Sequence, residues 1–280
     1  MLLRRVVAHL RKQEWTAIAI DFVIVVLGVF VGIQLGNWND ARLERAQSAV
    51  FTRALVADLH ADAVLYRGVA DYYASVSDNA ERVLESLEGG APLSDEDLLI
   101  SAYRASQVAL VPVNRSTFDE LVSTGRINLI TDAALRQTAI EHFGFNYIEA
   151  AAADGRQSDY RSLFRATMPP DAHRAAREHC GDVESTDIIA LDYHCVLGLS
   201  DEAILQAAEA LRAEPTMPAA LRSRINGIDV QTRDLIARAT RLERALSPDA
   251  LPGSSRASGL NRLRRSAKLA LRPKLARSRH

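Results

Sequence analysis

The distribution of apolar and polar positions separates this chain into a short basic lead, one continuous apolar run, a long body with helical periodicity and a basic tail. From Trp15 to Leu35 it reads WTAIAIDFVIVVLGVFVGIQL, with Asp21 as the only ionisable residue. An α-helix needs ~20 such residues to cross a ~30 Å hydrocarbon core. Trp15 and Trp38 stand about 34 Å apart at 1.5 Å per residue, which puts both indoles at headgroup level on opposite faces of a bilayer. The pattern predicts a transmembrane helix over residues 15–36, and the Gly36-Asn37-Trp38-Asn39-Asp40 that follows contains no small-x-small cleavage site of a secretory signal.

Beyond Trp38 the apolar residues thin to a stripe. Leu55, Leu59, Ala63, Tyr66, Ala70, Tyr73, Val76, Ala80 and Val83 recur at intervals of three or four up to Gly89-Gly90, so the span is expected to continue into a long helix whose stripe needs a packing partner. Tyr66 and Tyr73 read as core. Ser94 with Asp95, Glu96 and Asp97 marks a helix start, predicted to run to about Gln107. Thr117-Phe118-Asp119-Glu120 fits a capping box for a short helix stopped at Gly125. Thr131-Asp132 opens a helical stretch with Leu135, Ala139, Phe143 and Tyr147 on one face, which Pro169-Pro170 closes ahead of a loop-rich segment containing both cysteines. Helices are expected from Ser200 to about Ala213 and from Pro218 to about Ala245. The fold class is therefore all-α: a single N-terminal transmembrane helix continuing into a long helix, then a bundle-like extramembrane domain over residues 37–250.

Composition supports this reading, with 48% hydrophobic residues and abundant Ala, Leu and Arg against few strand formers. The formal charge of −1 conceals an asymmetry, because residues 251–280 carry nine Lys/Arg and no acid. Pro248, Pro252 and Gly253 mark a linker into this tail, in which Leu260, Leu263, Ala267 and Leu271 share a helical face, as in a helix drawn to anionic lipid or cell-wall polymer; a solvated extension fits equally well. Arg4, Arg5, Arg11 and Lys12 before the span, against Arg42, Arg45 and Arg53 after it, favour residues 1–14 in the cytoplasm and the body in the periplasm of a bacterial inner membrane. The pair Cys180 and Cys195 in a chain with no other cysteine suits a disulfide in that oxidising compartment. With the body outside the cytoplasm, no nucleic-acid partner is expected.

Gly28, Gly32 and Gly36 form overlapping G-x-x-x-G units, and Asp21 and Asn39 fall near the same helical line. That face predicts a packing seam for a second copy or another membrane helix; the plainer alternative is that glycines are common in membrane helices and Asp21 reaches the near headgroups. No phosphate-cradling glycine loop, H-E-x-x-H, G-x-S-x-G or C-x-x-C is present, so no catalytic, cofactor-binding or metal residue is assigned. His173, His179, Cys180, His194 and Cys195 are the one cluster with metal-ligand chemistry, but adjacent His-Cys residues rarely turn both side chains to one ion, and oxidised cysteines provide no thiolate. Asp119 and Glu120 read as helix-start charges.

Two stretches, Asp21 to Asp40 and Ser116 to Ile130 followed by Asp132, Leu135 and Arg136, resemble an uncharacterised family of bacterial single-pass membrane proteins, a domain of unknown function. The family's acidic residue opening the span, its Gln-x-x-Asn-Trp-Asn close and its Ser/Thr-Gly turn match Asp21, then Gln34, Asn37, Trp38 and Asn39, then Thr124-Gly125. The resemblance covers about the first 150 residues and implies an anchor and a helical body, with no activity to transfer. The expected function is a membrane-anchored interaction or sensing module. The alternatives are an envelope enzyme whose site shows no motif and a structural spacer between membrane and cell wall.

Overall fold

The structure is a computed structural model and describes residues 15–184, 189–191 and 193–247; the N-terminal segment 1–14 and the linker and basic tail from residue 248 lie outside the described residues. The fold is all-α, with, among the described residues, one minimal antiparallel ladder in which β1 (Val183–Glu184) pairs with β2 (Ile189–Ala190). The chain divides into two compact units. Among the described residues, one comprises residues 15–53 with Asn128–Thr131 and the other Ala54–Ile127 with the residues from Asp132 to Ser247.

Helix α1 (Trp15–Leu87) is 73 residues long and ends at Gly89, whose φ of 83° is the left-handed conformation that a glycine adopts without a Cβ clash. In the first unit its residues from Ile20 to Leu43 are exposed, and Ser48 Oγ donates a 2.5 Å hydrogen bond to the Leu129 carbonyl.

In the second unit, α2 (Asp95–Ala105) starts where the sequence indicated, with the Ser94 hydroxyl accepting from the Asp97 N–H. Helix α3 (Ser116–Ser123) begins one residue before the predicted box, and its N-cap is Arg115 rather than Thr117. Asp119 is drawn into a bidentate pair with Arg115 instead, and Asn114 Oδ1 takes the Ser116 N–H. Gly125, at φ 68°, stops this helix as expected.

The stretch read as one helical run to Pro169 is three helices: α4 (Ala133–Phe143), α5 (Tyr147–Arg156) and α6 (Asp159–Thr167). Asn146 accepts from Glu149 N–H and Ser158 from Arg161 N–H, so each break is a side-chain cap that the continuous periodicity concealed. The expected loop after Pro169-Pro170 is also corrected. Pro170 occupies the first turn of α7 (Pro170–His179), where its missing N–H costs nothing, and Cys180 caps the helix end. Helices α8 (Asp201–Ala213) and α9 (Met217–Ala245) match their expected bounds.

Within this unit α9 packs against α4, α5 and α6, while α2 packs against α7 and α8. One apolar cluster gathers Val83, Leu98, Leu99, Tyr103, Tyr160, Phe164, Leu211 and Leu221. A second gathers Tyr66, Tyr73, Val76, Ile148, Ile228 and Leu235. The α1 stripe from Leu55 to Val83 is thus covered by helices of the same chain, and Tyr66 and Tyr73 are core residues.

Candidate functional site

Three polar features and one apolar face stand out, and each is read within its own unit. In the first unit, Asp21, Gly28, Gly32 and Gly36 lie on the exposed part of α1, and a Cβ built on any of the three glycines meets no atom within 4 Å. The most apolar stretch of this helix is wholly unburied. Among the described residues this is the one helix long and apolar enough to cross a membrane. Trp38 is exposed; Trp15 is helical, and its side chain lies outside the description.

In the second unit, Cys180 and Cys195 form a disulfide across Cα atoms 5.5 Å apart. Cys180 is fully buried. Arg104, also buried, places Nη2 3.5 Å from Cys195 Sγ, donates to the Tyr193 carbonyl and lays its guanidinium over the Tyr193 ring. The histidines beside the cysteines do not converge on them. His173 instead contacts the rings of Tyr103 and Phe164, while His179 and His194 are exposed. Burial lowers the His173 pKa from its ordinary value, and the charges of Arg165, Arg177 and Arg161 lower it further. Among the described residues no group of three His, Cys, Asp or Glu is arranged to hold a metal ion.

The C-terminal end of α2 gathers several side-chain donors on its carbonyls. A helix ends in carbonyls without intrahelical donors, which concentrate negative potential. Here Tyr160 Oη donates to Ala102 O at 2.7 Å and Ser106 Oγ to Tyr103 O at 2.6 Å. Arg224 Nε donates to Ala105 O at 3.3 Å and its Nη2 to Gln107 O at 2.8 Å, while Arg161 Nη1 takes Ser106 O. Arg224 is only 4% exposed and forms no ion pair with a carboxylate among the described residues. Burial pushes its pKa down from the usual guanidinium value, and Arg161 shifts the same way through burial and then through Arg165 and Arg224. A Cβ at Gly155 would run into Val108 and the Arg224 guanidinium, so glycine at this position is what lets α5 approach.

Arg224 also forms part of the wall of a cleft of about 430 Å³ between the Asp154–Tyr160 segment and α9, with Asp154 and Asp159 at the exposed rim. Ser223, Gly227 and Gln231 line the α9 side. The Gln231 Oε1 atom is buried and has no donor.

The last feature is a buried carboxylate–imidazole hydrogen bond. Asp62 on α1 sets Oδ2 2.8 Å from His142 Nε2 on α4, and both side chains are nearly inaccessible. A carboxylate can only accept, so Nε2 is the donor in this pair. The other oxygen of Asp62 accepts from the Asn114 N–H at 3.3 Å. Tyr66 packs its ring on His142, and burial, offset in part by Arg238, lifts the Tyr66 hydroxyl pKa to about 12. Removing either partner of such a pair leaves a buried uncompensated group, at a typical cost of about 3–5 kcal/mol.

Sequence reasoning did not single out Arg224, Asp62 or His142, yet each left a trace. Arg224 interrupts the apolar series Met217, Leu221, Ile228, Leu235; Asp62 sits one residue before Ala63 on the buried stripe, and His142 one before Phe143. A polar residue at a core position must find a buried partner, and that conflict was legible. No protein-family model, curated protein or solved structure matches this chain. Functional reading therefore rests on the residues themselves.

Proposed function

We propose that this protein is a membrane-anchored interaction or sensing module of the bacterial envelope. The observation that carries the reading is the α1 segment from Ile20 to Leu43, whose large apolar side chains stand exposed, whereas the stripe from Leu55 to Val83 of the same helix is buried in a folded body. Exposed side chains of that size on every side of a helix require lipid or another helix. In this reading residues 15–36 span the inner membrane, residues 1–14 are cytoplasmic and the body is periplasmic, a compartment in which the Cys180–Cys195 bridge persists. The Gly28, Gly32 and Gly36 face, with Asp21, docks on a second copy or another membrane helix, and the basic tail meets anionic lipid or cell-wall polymer.

Membrane-impermeant maleimide applied to intact cells tests the placement, with lysed and denatured cells as the reactivity control. Labelling of Cys180 and Cys195 only after reduction by a non-permeant thiol reagent supports a periplasmic body with its disulfide formed. Labelling confined to lysed cells without reductant overturns it. Gly28→Leu with Gly32→Leu should abolish crosslinked self-association or the copurifying partner, and unchanged association of both kinds removes the seam.

A further inference from the structure

We propose that the cleft between the Asp154–Tyr160 segment and α9 binds a small zwitterion carrying one carboxylate and one ammonium group, of the size of a free amino acid or dipeptide. This rests on the sensing reading for its purpose, and on the geometry of the second unit for its chemistry.

The buried part of the cleft wall supplies the cation. Arg224 is 96% buried, its Nε and Nη2 are engaged by the carbonyls of Ala105 and Gln107, and Nη1 has no acceptor among the described residues. A buried guanidinium held by carbonyls alone retains its full charge, and the natural complement to its remaining edge is a carboxylate. The rim supplies the opposite sign. Asp154 and Asp159 are exposed, border the same cleft and form no ion pair among the described residues.

These two charges restrict the ligand. A plain anion at Arg224 would share the cleft with two exposed carboxylates, and a plain cation at those carboxylates would share it with a buried guanidinium. A dipolar molecule, oriented with its carboxylate inward and its ammonium at the mouth, satisfies both. A Cβ at Gly227 would meet nothing within 4 Å, which leaves room on the α9 wall for a ligand side chain. The volume of about 430 Å³ lies in the range of small-molecule sites.

The experiment is calorimetric titration of the full chain in detergent with alanine, glutamate, lysine and the dipeptide Ala-Ala, using acetate and ethylamine as single-charge controls. At least one zwitterion should bind saturably with a Kd below about 1 mM, with both controls at least about tenfold weaker. Gly227→Leu fills open space on an exposed helix position and should weaken binding by more than about tenfold without lowering the thermal midpoint. Asp154→Asn with Asp159→Asn should weaken it by about tenfold. The proposal is overturned if no zwitterion binds below about 10 mM, if acetate binds as tightly as the zwitterions, or if the Gly227→Leu and rim variants bind like the parent. Binding in detergent is independent of where the chain sits in the cell, so its failure would leave the anchor reading to the labelling experiment, and the reverse also holds.

Discussion

Helix α1 offers two regions with the same backbone and opposite surroundings. From Ile20 to Leu43 its large apolar side chains lie around the whole circumference and all are exposed. From Leu55 to Val83 the apolar residues narrow to one stripe, and that stripe is almost completely buried. Periodicity alone would make both simply helical. What distinguishes them is the angular spread of the apolar residues, since a stripe matches a protein partner on one side and an all-round apolar surface matches a solvent that is itself apolar. Polar groups follow the same division. In the packed region Asp62 is paired with His142 at 2.8 Å inside the core, whereas Asp21 in the apolar region is exposed.

The comparison can be broken most severely by Tyr73→Ala, which removes a fully buried aromatic ring and should destabilise the body by about 3–5 kcal/mol, read from chemical or thermal unfolding. A loss under about 1 kcal/mol would mean that the packed stripe is not the core described here. Val26→Lys tests the other region. A lysine at the centre of a spanning helix costs about 2.5–3.5 kcal/mol of insertion, so the variant should shift toward the carbonate-extractable fraction while the body keeps its unfolding midpoint. Full retention in the membrane pellet would argue that lipid does not surround this segment.

Alkaline titration separates the regions by pH. No tyrosine occurs between Ile20 and Val50, whereas Tyr66 in the packed region has its hydroxyl raised from 10.0 to about 12 by burial. Because the unfolded chain ionises first, the stability present below pH 10 is lost as pH climbs from 10 toward 12, by on the order of 2 kcal/mol from this residue. Tyr66→Phe should remove that part of the alkaline slope, and an unchanged slope would assign it to Tyr72, Tyr73, Tyr103 or Tyr160, which burial also pushes up. The smallest effect is expected from Val64→Lys. Val64 is 61% exposed and Val26 is 47% exposed, yet a lysine at Val64 faces water and should change stability and membrane retention by no more than about 0.5 kcal/mol. Equal behaviour of the two lysine variants would erase the distinction between the regions.

Several elements could be read without coordinates because their signals are local. Ser94, Asp132 and Ser200 each cap the helix that follows them, and Gly89 and Gly125 end theirs at positive φ. The cysteine pairing also came from composition and spacing. Other boundaries were missed because two local signals competed. Asn146 and Ser158 interrupt a run whose apolar spacing continues across them, and the N-cap hydrogen bond prevails over periodicity there. Thr117 lost its expected capping role because Asn114 and Arg115 supply the polar contacts three and two residues earlier.

The sequence by itself determined the helical class, the apolar segment with its glycine face, most helix starts and the cysteine bridge, since each depends on residues within a few turns or on a pair without competitors. Tertiary structure alone decided which polar residues meet. Asp62 and His142 are 80 positions apart, and Arg224 lies 119 positions from the Ala105 carbonyl it caps. Nothing in local spacing encodes those distances; they follow from the order in which α2, α4, α5, α6 and α9 pack around the stripe of α1, and buried polar groups then take whichever partners that packing leaves within reach.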